Sequence, residues 1–410
     1  MGCEAGASRV RPGGVIASFR VRAPMTVACA GRVGAPIRAW RWGCARSTPR
    51  LGVARAPRTF DPRVGGAAII VCMRVGFRCV RAVAVAIVIS VLMGGTAGLA
   101  ASPPTLVPVV LPRDHGAHPG FQVEWWYTAG TVAASRGDDY FWFATAWASA
   151  GALVARVNVV DLQSDRVVLS QEYTKLAALA AHQTRIDVGS FGLGWQAAGA
   201  WGQWSVDAPV GGGGLLQLDL TPVQAYVLNG SNGIVAQGKG ARSAYYSDPR
   251  LAAQGKLEIN GRSTRVSGQG WFDHQWGNFA SDPSSMHWNW FACQFANRSD
   301  LMLYQFITPG GQPTGIQSAS FVSPAGKVAH PQQFTVTPLA PTIRPTGATG
   351  TYPLGWQLAV PSAHVDVTLK ARARNQFIAN QFIPGFWEGA AAITSGAPGN
   401  CIVESTREPL

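Results

Sequence analysis

Asp273 stands in the segment Trp271-Phe272-Asp273-His274-Gln275-Trp276-Gly277, a carboxyl set among large rings. A carboxyl held among rings loses solvation, so its neutral form is favoured and its pKa rises. A neutral, positioned acid can protonate an alkene, and water then captures the cation, which nearby ring faces stabilise. Asp273, with His274 beside it, is therefore the first catalytic candidate. The competing reading pairs Asp273 with Arg250 or His274 as an ionised brace, which predicts the opposite protonation state. Glu124 is a second acid in apolar surroundings, between Val123 and Trp125. By strand alternation it shares a face with Trp126 and opposes Trp125. It either lines a pocket or caps an end by bonding Arg250.

Other chemistries find no support in the spacing. There is no G-x-S-x-G nucleophile elbow, and no H-E-x-x-H or paired H-x-H for a metal. No metal and no other cofactor is expected. Asp114, His115 and His118 make a thin cluster, expected in a solvated opening loop. The Gly211–Gly214 run is a loop, since no phosphate-binding lysine or helix start follows it.

Charge divides the chain. Residues 1–72 hold twelve arginines against Glu4 and Asp61, and residues 73–101 add three more; these account for the whole formal charge of +13. Residues 102–410 are net neutral, so basicity gives no argument for a nucleic-acid partner. From Met73 a basic start (Arg74, Arg78, Arg81) leads into an apolar run, Ala82 to Met93, and then small residues to Ala101. That is the pattern of a secretory signal peptide, with a retained membrane anchor as the alternative. Residues 1–72 then read as a start assigned too early, or as a disordered basic leader. Export to the periplasm or the exterior leaves Cys293 and Cys401 as the cysteines of the mature chain.

The elements that position Asp273 read as strands. His364 to Arg374 alternates cleanly, with Val365, Val367 and Leu369 on one face, and Leu216, Leu218 and Leu220 alternate likewise. Turn signals such as Asn229-Gly230, Asn260-Gly261 and Pro309-Gly310-Gly311 separate such runs. Only Tyr173 to His182 has a weak helical look. Many short strands with thirteen tryptophans in residues 102–410 suggest a sandwich or barrel, the rings either lining a ligand space or filling cores.

Three segments together resemble one family. They are His118-Pro119-Gly120-Phe121-Gln122-Val123-Glu124-Trp125-Trp126-Tyr127, Tyr245-Tyr246-Ser247-Asp248-Pro249-Arg250-Leu251, and the segment around Asp273. Trp288-Asn289-Trp290-Phe291, Leu301-Met302-Leu303-Tyr304 and Phe386-Trp387-Glu388-Gly389 support the match, which spans about residues 118–405. The chain resembles the hydroxyneurosporene synthase (carotenoid 1,2-hydratase) and AttH-like family of exported lipocalin-like proteins. Gln275 departs from the pattern, standing where the family usually has Glu.

The resemblance implies an all-β fold, two lipocalin-like antiparallel β-barrels packed side by side. Residues 102–284 would form the first barrel and 285–410 the second. It implies a pocket for a hydrophobic, isoprenoid or lipid-like molecule, with Asp273 and His274 catalytic. Glu124, Trp126, Tyr246, Arg250, Trp271, Trp276, Trp290, Tyr304, Trp387 and Glu388 would contact the ligand. The activity implied is hydratase-like, acid-catalysed hydration or isomerisation; the alternatives are a non-catalytic carrier near membranes and a secreted hydrolase. In a closed barrel the first and last strands are neighbours, so Cys293 and Cys401 are expected to meet in a disulfide, the alternative being two free thiols.

Overall fold

The computed structural model describes residues 27–29, 70–72 and 104–406, except 150, 239, 280–286, 309, 349, 375 and 380–384. The chain divides into two compact units, Met1–Gly98 and Leu99–Leu410. Within the first, the described residues are β1 (Val27–Cys29) and β2 (Ile70–Cys72), an antiparallel pair. The expected signal peptide and the expected start of the mature chain lie outside the described residues, as does the rest of the leader.

The second unit is built from two antiparallel sheets. The first holds β3 (Val123–Ala134), β4 (Asp139–Ser149), β5 (Ala152–Asp161), β6 (Arg166–Leu176), β7 (Arg185–Val188), β8 (Phe191–Gln196), β9 (Gln203–Val210), β10 (Gly214–Pro222), β11 (Val227–Leu228), β12 (Ile234–Gly238), β13 (Ala241–Ile259) and β14 (Arg262–Gly277). Its main path runs β6-β5-β4-β3-β14-β13-β10-β9-β8-β7. The sheet curls until its two ends approach, where the Tyr173 hydroxyl of β6 donates to the Pro209 carbonyl of β9 at 2.6 Å. The second holds β15 (His287–Phe295), β16 (Asp300–Ile307), β17 (Pro313–Val322), β18 (Val328–Ala329), β19 (Thr335–Ile343), β20 (Tyr352–Val360), β21 (Val365–Ala371), β22 (Phe377–Ile378), β23 (Phe386–Ser395) and β24 (Gly399–Thr406). Its main path runs β18-β17-β16-β15-β24-β23-β21-β20-β19.

No α-helix occurs among the described residues; Arg113–His115 and Pro361–Ala363 form single 3-10 turns. The expected helix from Tyr173 is instead the end of β6. Pairing of Tyr173 with Ala155 of β5 overrides the weak helical propensity of the alanine-rich stretch beyond it.

Period two explains where the cores sit. Leu216, Leu218 and Leu220 are buried inside the first curl with Trp126, Trp142, Trp204 and Phe272. Val365, Val367 and Leu369 are buried inside the second with Phe291, Trp356, Trp387 and Val403. A third core lies where the sheets face one another and takes the alternate residues of the same strands: Tyr127 and Ala129 of β3, Tyr245 of β13, Trp271 of β14, Trp290 and Ala292 of β15, Met302 and Tyr304 of β16, Phe386 and Ala390 of β23. The central strands are thus buried on both faces, which is why they read as near-continuous apolar runs.

Two local features fix the frame of β13 and β14. Their hairpin turns on Asn260 (φ 53°) and Gly261 (φ 74°), with Ile259 opposite Arg262; a two-residue turn with both φ positive matches the right-handed twist of the strands. A bulge follows between Asp248 and Leu251, where β13 has one residue more than β14. Pro249, without an N–H for the ladder, sits in the bulge. Across β15 and β24, Cys293 lies opposite Cys401, and the two are joined in a disulfide with an S–S distance of 2.05 Å.

Candidate functional site

A cavity of about 180 Å³ lies between the two sheets. Trp125 and Trp147 of the first sheet and Trp288, Trp290, Phe306 and Phe386 of the second supply most of its wall. Its polar lining includes Asp273, Tyr245, Gln275, Tyr304 and Glu404. The space is several times what one water needs and is walled by rings, which suits an apolar molecule.

Asp273 is 3% exposed. Tyr245 donates its hydroxyl to Oδ2 at 2.5 Å; Ser247 Oγ and Trp271 Nε1 donate to Oδ1 at 2.6 and 2.8 Å. All three donors sit on the face of β13 and β14 turned to the second sheet, as alternation requires. Trp290 Nε1 donates in turn to the Tyr245 hydroxyl at 3.1 Å. Burial pushes the Asp273 carboxyl up to about 7, outweighing the three hydrogen bonds, and the nearby Glu404 adds to the rise. Asp273 therefore changes charge near neutrality. The sequence-level pairing with Arg250 or His274 does not form.

A second acidic centre faces the first. Glu388 of β23 and Glu404 of β24 are register partners. Tyr127 of β3 donates to Glu388 Oε1 at 2.8 Å, and Trp288 Nε1 donates to Glu404 Oε2 at 2.9 Å. Burial pushes both carboxyls up, and Glu388 further through the charge of Glu404.

His274 points the other way, into the first curl, with its Nε2 at 2.8 Å from Glu124 Oε1. His118 Nδ1 is also 2.8 Å from that oxygen, and the His118 backbone N–H donates to Glu124 Oε2 at 2.8 Å. Trp276 stacks on His118, with ring centroids 3.8 Å apart, and Trp126 stacks on His274. Tyr246 hydrogen-bonds His115 at 2.9 Å. The expected solvated loop at Asp114, His115 and His118 is thus corrected. Asp114 and His115 are buried at 2% and 0%, because the segment folds back over the end of the first curl. Burial opposes a charged His118, yet its bonds to Asp114 and Glu124 prevail and its pKa rises; burial lowers His274. His118, Glu124 and His274 lie close enough to surround an ion. Glu124 already accepts from both rings, and the three side chains form a hydrogen-bonded clasp. Asp248, on the same inner face, has no well-aligned donor for either oxygen, and burial pushes its pKa well above the usual carboxylate range.

The twelve residues singled out in the sequence therefore fall into separate groups. Asp273, Trp290 and Tyr304 line the cavity, and Trp271 and Glu388 sit directly behind its polar groups. Glu124, Trp126, Tyr246, His274 and Trp276 belong to the interior of the first curl. Arg250 pairs with Asp300 of β16 at 2.7 Å, bracing sheet to sheet. Trp387 is in the core of the second curl. Sequence reasoning missed Tyr127, Tyr245, Ser247 and Glu404. Glu404 carried a signal like that of Glu124, a lone acid at the end of an apolar run, Cys401-Ile402-Val403.

A family model described as AttH-like matches residues 101–406. No curated protein matches the chain. Among solved structures, a candidate AttH (NE1406) from Nitrosomonas europaea superposes with TM-score 0.65 at 23% identity, covering 73% of this chain and 99% of that one. Kievitone hydratase from Nectria haematococca superposes with TM-score 0.59 at 18% identity, covering 77% of this chain and 97% of its own.

Proposed function

The chain belongs to the AttH-like family, and on that footing we propose that it is an exported protein that takes an unsaturated hydrophobic molecule, isoprenoid or lipid-like, into the cavity between its sheets and hydrates or isomerises it by acid catalysis. The observation that carries the reading is Asp273, a buried carboxyl on the cavity wall whose pKa is raised to about 7. At and below neutrality it keeps a proton to give to an alkene carbon. The indole faces of Trp125 and Trp290 would steady the resulting cation, and water would close the reaction without any other reagent. A hydratase with the same fold, the kievitone hydratase of Nectria haematococca, is consistent with such chemistry. The Cys293–Cys401 disulfide supports residence in an oxidising compartment.

A carrier without chemistry is the second reading. Its support is that the three donors of Asp273 hold the carboxyl fixed, as a structural group would be. Native mass spectrometry of protein purified from the periplasm, followed by lipid extraction, identifies what the cavity holds. Incubation of that molecule in H₂¹⁸O then separates the readings. Asp273→Asn is expected to bind it unchanged and to lose labelled product by about 10²-fold or more. Wild-type protein that binds it and returns it unlabelled and unrearranged would leave the carrier.

A further inference from the structure

We propose that Glu404, backed by Glu388, is the second acid–base group of the cavity: the two carboxyls hold one proton between them, and Glu404 accepts the proton released by the adding water. This rests on the hydration reading above. Glu388 is 1% exposed, and while its Oε1 accepts from Tyr127, its Oε2 has no donor among the described residues. Directly across the ladder stands Glu404, which lines the cavity. Two bare carboxylates at adjacent buried positions repel one another; a single proton between them removes the repulsion and gives Glu388 Oε2 its missing partner. Trp288 fixes one oxygen of Glu404. The other ionisable groups around the pair are Tyr127 of β3 and Asp273 of β14, and Asp273 feels the charge of Glu404. An acid on one wall and a proton acceptor on the other is the arrangement that adding water across a double bond requires.

The step balances. The alkene π pair takes the proton of Asp273 and forms a C–H bond. Water forms the C–O bond at the neighbouring carbon, and its surplus proton passes to the Glu404–Glu388 pair, which goes from one shared proton to two. The product is the alcohol, and solvent returns one proton from the pair to Asp273. Nothing is oxidised or reduced.

Carboxyl ¹³C NMR of the full chain tests the shared proton directly. The Glu388 and Glu404 signals are expected to titrate together in two separated steps, and Glu388→Gln should collapse the Glu404 titration to one step at lower pH. Independent, ordinary titrations of the two in wild type would overturn the proposal whatever the activity. Turnover of squalene and lycopene in H₂¹⁸O tests the role. Glu404→Gln is expected to lose labelled alcohol by about 10²-fold while still quenching its cavity tryptophans on squalene binding. Glu404→Gln working at the wild-type rate, with Asp273→Asn inactive, would overturn the acceptor role alone. No labelled product from wild type would sink the hydration reading, and the acceptor role with it.

Discussion

At the scale of single residues, neighbours in sequence do different work because β14 has two buried faces. Asp273 meets Tyr245, Ser247 and Trp271 between the sheets, while His274 meets Glu124 within the first curl. A carboxyl whose folded pKa lies near 7, against an unfolded value near 3.8, binds its proton more tightly when folded. Folding stability from this group is thus present at low pH and lost as pH rises from about 4 to about 7, by about 4 kcal/mol in total. Asp273→Asn should abolish that slope. Urea denaturation of both proteins at half-unit steps from pH 4 to 8 reads the difference: the variant should gain on wild type up to about pH 7 and then hold level. A constant difference across the range would mean that Asp273 stays ionised in the fold.

At the scale of elements, the bulge in β13 sets what faces what. Before it, Tyr246 and Asp248 point into the first curl; after it, Leu251, Ala253 and Leu257 do. The extra residue lets Arg250 leave the ladder and reach Asp300, with further bonds to the carbonyls of Phe295 and Ser299 at 3.1 and 3.2 Å. Burial pushes Asp300 up to about 6, even against Arg250 and Gln224. Arg250→Met strands that carboxyl and is expected to cost about 3–5 kcal/mol at pH 8. At pH 5 the loss should be smaller, since Asp300 then takes a proton. Arg250→Met/Asp300→Asn should recover part of it, and equal losses at both pH values would refute the pairing argument. The strands around this bulge were legible from apolar alternation and turn residues. Which face of each strand belonged to which core was not, because burial on both faces erases the contrast between wet and dry positions that alternation relies on. That is why Asp273 and His274 read as one catalytic pair, and why Glu404 went unnoticed.

At the scale of the whole molecule, two curled sheets share a third core, and the cavity occupies part of that shared layer. Pairing of β15 with β24 brings the first and last strands of the second sheet together, as a closed barrel predicted, and the disulfide spans that pairing. The cluster at Asp114, His115 and His118 was misread for a reason of the same scale. Nothing in its composition announces that the segment returns across the end of the first curl, since its partners Tyr246 and His274 are far along the chain.

The disulfide also alters how the molecule bears load. Tension applied at the two termini passes from Cys293 to Cys401 through sulfur and bypasses the intervening chain, a sequence separation of 108 residues. Pulled in an optical trap, the oxidised protein should yield the first sheet and then stop short. Adding a reductant should release a further roughly 350–390 Å of contour length, at about 3.3–3.6 Å per residue. Equal total extension with and without reductant would show that the two sulfurs are free. With the bond in place, residues 293–401 form a closed covalent ring that a stretched chain cannot open, so Tyr304, Phe306 and Phe386 of the cavity wall stay within the ring, while Trp288, Trp290 and Glu404 lie on the segments that carry the load.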